Sequence, residues 1–78
     1  MNARVNQAYD KLNGTQRNYL SMMSELIARA RENGLVQETE NRRGKVRGYL
    51  TALEQMAVIT HSDLQALYLF FVAENRAY

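Results

Sequence analysis

A chain of 78 residues with no cysteine, no proline and one histidine makes one small domain, near the lower limit at which a core holds without staples. That composition excludes disulfides and thiolate chemistry and argues against a protein-only zinc site. The net charge of +2 is unevenly spread: residues 1–34 carry five basic and three acidic side chains, 35–48 four and two, and 49–78 one and three, a basic middle followed by an acidic last third that can orient a partner or a second copy.

The segment Met1-Asn2-Ala3-Arg4-Val5-Asn6-Gln7 has no apolar signal core, and the longest apolar run, Ala66 to Ala73, is too short to cross a bilayer. The expected location is cytoplasmic. Four glycines and no proline favour long helices over strands and turns.

From Val5 the apolar positions run Val5, Tyr9, Leu12, Tyr19, Met23, Leu26 and Ala30, with steps of four and three once Gln16 is counted. That is a heptad seam. Gln16 is its one polar member, either a device that fixes register and oligomeric state or an exposed side chain. Glu25 and Arg29 stand at i,i+4 on a solvated flank. Asn13-Gly14 is a turn signal, and Thr15 can cap a new helix after an arm over residues 3–12. The seam keeps its phase across the pair, however, and the reading adopted is one helix over about residues 3–33. Arg29 and Arg31, then Asn33-Gly34, mark its end.

In the next unit Val46, Tyr49, Leu50, Leu53 and Met56 recur at helical spacing, whereas Val36 to Lys45 is almost wholly polar. Glu38 can pair with Arg42 if this part is helical. Gly44 and Gly48 lower the propensity, so the firm helix is placed over about 45–58, with residues 36–44 either a fraying extension or a loop.

Thr60 and Asp63 then have the spacing of a capping box, and Ile59 and Leu64 that of a hydrophobic staple. They open a helix over about 61–76. Leu64, Leu67, Tyr68, Phe71 and Val72 form its core stripe. Leu69 and Phe70 fall off the stripe and, with Ala66 and Ala73, leave little polar surface, so this helix must be covered on more than one side.

His61-Ser62-Asp63 contains the residue types of a hydrolase triad, but adjacent side chains on a helix diverge by about 100° and cannot align as nucleophile, base and orienter. No phosphate loop, paired-carboxylate signature or metal constellation stands elsewhere in the sequence. The expectation is a protein that is not an enzyme and takes no cofactor.

Arg42, Arg43, Lys45 and Arg47, interleaved with Gly44 and Gly48 and followed by Tyr49, suit a phosphate backbone or single-stranded RNA. Two other readings are a solvated helix start partly neutralised by Glu38 and Glu40, and contact with an acidic protein surface such as the last third of a second copy. A DNA-reading helix-turn-helix does not fit, because the second helix of the pair, Gln65 to Phe71, offers one Gln and no Arg or Lys to base edges. Met22-Met23 reads as core filling at Met23. Gly44-x-x-x-Gly48 carries little weight in so polar a setting.

The sequence thus implies an all-α three-helix bundle with a long heptad-patterned first helix and a capped C-terminal helical hairpin. The expected role is a small regulatory or adaptor protein acting through protein contacts, as a homodimer through Tyr9, Leu12, Gln16, Tyr19, Met23 and Leu26 or through Leu69 and Phe70. The alternative is a nucleic-acid-binding accessory protein using residues 42–47.

Overall fold

The computed structural model describes residues 1–74 and contains four α-helices followed by a π-helical turn. They are α1 (Ala3–Tyr9), α2 (Gly14–Glu32), α3 (Val36–Gln55), α4 (His61–Tyr68) and the π turn Leu69–Glu74. The three-helix bundle is therefore corrected to four, because the expected first helix is two. Asn13 takes an extended backbone and caps α2: its side chain accepts the Gln16 amide at 2.8 Å, and the Gln16 side chain accepts the Asn13 amide at 2.9 Å. Gln16 is one half of a capping box and not a polar member of a seam. The end of α1 tightens through Lys11 and Leu12 amides bonding to Ala8 and Tyr9 carbonyls. Arg17 locks the corner, donating Nε to the Tyr9 carbonyl at 3.2 Å and lying over the Tyr9 ring.

Gly34 stops α2 with φ +72°, and the Leu35 and Gly34 amides bond back to the Ala30 and Arg31 carbonyls. That double bond pattern is a Schellman ending. The same ending closes α3, with Ala57 at φ 62° in the place glycine usually takes. The polar half of α3 is helical from Val36 despite its poor propensity. Ion pairs within it, Arg42–Glu38 at 3.1 Å and Arg43–Glu40 at 3.2 Å, support it. Arg42 also ties it to α2 by donating to the Leu26 carbonyl at 2.7 Å.

Tyr49 meets Tyr19 as Arg42 meets Leu26, so α2 and α3 run antiparallel. The short α1 lies along α4, α4 also meets α3, and the π turn packs on α2. Between them is one core: Val5, Ala8 and Leu12 from the N-terminal arm, Leu20, Met23 and Ile27 from α2, Val46, Leu50 and Leu53 from α3, and Ile59, Leu64, Leu67, Phe71 and Val72 from the last segment. The expected helix over 61–76 is α-helical only to Tyr68; its last two residues lie outside those described. No helix among the described residues is long and apolar enough to cross a membrane.

Candidate functional site

Asp63 is the polar centre of the molecule. Its side chain is 1% exposed and lies at the start of α4. The Thr60 hydroxyl accepts the Asp63 amide at 3.1 Å while the carboxylate accepts the Thr60 amide at 2.9 Å, the reciprocal pair that a capping box makes. Two cations from the N-terminal arm complete the cage: Arg4 at 2.8 Å on one oxygen and Lys11 at 2.5 Å on the other. Arg4 also donates to the Ser62 hydroxyl at 2.8 Å. One buried carboxylate thus caps its own helix and clasps α1 onto it.

Burial by itself would push the Asp63 carboxyl up, but the hydrogen bonds from Lys11, the Thr60 amide and Arg4 outweigh it and hold the group well below the usual carboxylate range. A folded-state pKa below the unfolded one gives stability that is present above the unfolded value, about 4, and is lost as pH falls. The melting temperature of the wild type minus that of Asp63→Asn is accordingly expected to shrink once pH drops below about 4. A difference that stays constant from neutral pH to pH 2 would mean that the charge contributes nothing.

The triad-like trio disperses: His61 faces Glu54 at 3.2 Å, Ser62 accepts from Arg4, and Asp63 points into the cage. Among the described residues no three His, Asp or Glu side chains gather where they could hold a metal ion.

The basic segment is spread over two sides of α3, since residues 42 and 45 fall on one side and 43 and 47 on another at about 100° per residue. Arg42 is bonded to α2 and Glu38, Arg43 to Glu40, and Arg47 lies 4.4 Å over the Tyr68 ring. Tyr49 packs against Tyr19 with centroids 4.2 Å apart and the rings tilted by 36°. Lys45 is exposed. The segment mostly fastens α3 to its neighbours and does not present four cations on one face.

The seam does not make a free face either. Leu12 and Met23 lie in the chain's own core, Tyr9, Gln16, Tyr19 and Leu26 are half-buried, and the fully buried α2 positions include Leu20 and Ile27, which the heptad reading passed over.

Leu69 and Phe70 differ. Leu69 is 50% exposed and Phe70 half-buried. Leu69 lies off the stripe that carries Leu64, Leu67, Phe71 and Val72 into the core, and the π turn begins at this residue. Beside it lies a groove of about 360 Å³ between α1 and α4, lined by Val5, Ala66, Leu69 and Phe70 with Arg4 and Gln65. A second groove, about 290 Å³, shares Gln65 and Leu69 and adds Leu64, Tyr68 and Arg47. Leu69 is thus an apolar ridge with a hollow on either side. The off-stripe position of Leu69 signalled this face from sequence. Nothing signalled Arg4 and Lys11, which reach Asp63 across separations of more than fifty residues.

Comparison with family models, with curated proteins and with solved structures finds no match to this chain.

Proposed function

We propose that this is a small non-enzymatic regulatory or adaptor protein that acts by binding another protein, and that Leu69 anchors the contact. The observation that supports it is the half-exposed Leu69 standing between two grooves. A protruding apolar side chain beside hollows, with an arginine lining each of them, is the arrangement from which interface anchors are made. Leu35 and Val36 are exposed too and line a single, smaller groove of about 200 Å³ with Arg31 and Arg43, whereas the exposed methionines Met1, Met22 and Met56 border none of these grooves. Scattered apolar residues of that kind are normal on any surface.

Leu69→Glu tests it. The side chain is half in water, so the variant's melting is expected to stay within about 1 kcal/mol of the parent's, while affinity for the partner falls by about 30-fold or more, as for an anchor residue. A photo-crosslinking residue placed at position 69, with position 22 as control, reports the partner in cells, and sedimentation at micromolar concentration shows whether that partner is a second copy. Equal crosslinking from both positions would refute the assignment.

A further inference from the structure

The arm formed by α1 is held in an unusual way. It packs on α4, the element that starts more than fifty residues later; Arg4 in the arm and Lys11 at its foot pair with Asp63, while Asp10 beside Lys11 pairs with Arg17 at 3.8 Å. Val5, Ala8 and Leu12 carry its apolar side into the core. Its link to α2 is the short corner Asp10–Asn13, held by the Asn13–Gln16 capping box and by Arg17 on the Tyr9 carbonyl. Across this corner Val5, Leu12, Tyr19 and Leu26 keep seven-residue steps and no proline intervenes, although in the folded-back form the α2 side buries Leu20 and Ile27, one residue further on. The same residues therefore suit two conformations: a corner, or a continuous helix.

We propose that α1 is an exchangeable arm. With Asp10–Asn13 wound into helix, α1 and α2 form one rod, and the arm of one copy occupies on α4 of a second copy the place it holds on its own. The contacts of Ala3–Tyr9 with α4 are restored in the pair, including Arg4 on Asp63, now between chains; Lys11 and Leu12 lie in the corner and are re-aimed when it winds. The exchange breaks the capping box and the Arg17 contacts with Tyr9 and Asp10, and it restores helical hydrogen bonds through the corner. Only the corner decides between monomer and pair, which is the condition under which short hinges exchange. This pairing uses a surface distinct from the Leu69 face and stands independently of the function proposed for it.

Two corner substitutions pull in opposite directions. Asn13→Ala removes a cap that exists only in the folded-back form and improves the helix of the rod, favouring the rod by about tenfold per chain and the pair, with two corners, by about a hundredfold. Gly14→Pro does the reverse. Position 14 is the first residue of α2, Asn13 before it is extended at φ −84° and ψ 176°, and a Cβ there meets nothing within 4 Å, so proline suits the corner. In a continuous rod the same ring would strike the Asp10 carbonyl.

Sedimentation across a concentration series is expected to show a tighter dimer for Asn13→Ala than for the parent, and a monomer for Asn13→Ala combined with Gly14→Pro. Leu69→Glu in the Asn13→Ala background should leave that dimer intact. Exchange is overturned if Asn13→Ala associates no more than the parent. It is equally overturned if the dimer survives Gly14→Pro, and loss of such a dimer on Leu69→Glu would assign it to the exposed ridge.

Discussion

Asp63→Ala is expected to destabilise the protein by about 3 kcal/mol, with roughly 1 kcal/mol from the lost cap and the rest from the two cations left without their anion. The figure is held below the full cost of breaking a buried pair because Arg4 and Lys11 are 40% and 44% exposed, and water takes over part of what the carboxylate gave them. In a domain of this size the melting temperature should fall by about 12–24 °C. Thr60→Ala removes the hydroxyl half of the box only and should cost about 1 kcal/mol. Asp63→Asn keeps an acceptor for the Thr60 amide but loses the charge, and its cost should fall between the other two. Chemical denaturation of the three variants separates cap from clasp. Equal losses in Asp63→Ala and Thr60→Ala would show that the ion pairs add nothing. Because the carboxylate also anchors α1, amide exchange over residues 3–12 should speed up in Asp63→Ala more than in Thr60→Ala.

Ile27→Ala is expected to cost about 3 kcal/mol, whereas Leu26→Ala one residue away should cost about 1 kcal/mol. Ile27 is fully buried and Leu26 is half-buried at the edge of the core, so truncation leaves a cavity at the first and an accommodated gap at the second. The heptad reading of the sequence implies the opposite order, and urea midpoints of the two variants decide between them. A larger loss at Leu26 would mean that α2 is rotated from the orientation described.

Much of the local structure was legible because its causes lie within one turn of helix. Thr60 and Asp63 are three residues apart, so the cap that opens α4 could be read directly. Gly34 after two arginines marked the end of α2 for the same reason. The surplus of apolar surface at Leu69 also followed from spacing alone, although not the π turn that begins there. The capping role of Gln16 was not legible, because its partner, Asn13, matters only if the chain turns there.

By itself the sequence determined an all-α chain, the cap that opens α4, the glycine stop of α2 and the apolar stripe of the last helix. The tertiary structure decided the break at Asn13 and the buried side of α2. The break is decided by what the arm gains on α4, namely burial of Val5, Ala8 and Leu12 and a carboxylate for Arg4 and Lys11, none of which is visible from neighbours in sequence. The buried side is decided by packing, since 19, 23, 26, 30 and 20, 23, 27, 30 are both helical stripes and share Met23 and Ala30. Tyr19 satisfies the first at the surface by packing its ring against Tyr49. Leu20 and Ile27 take the interior, where aliphatic side chains leave no hydroxyl unbonded.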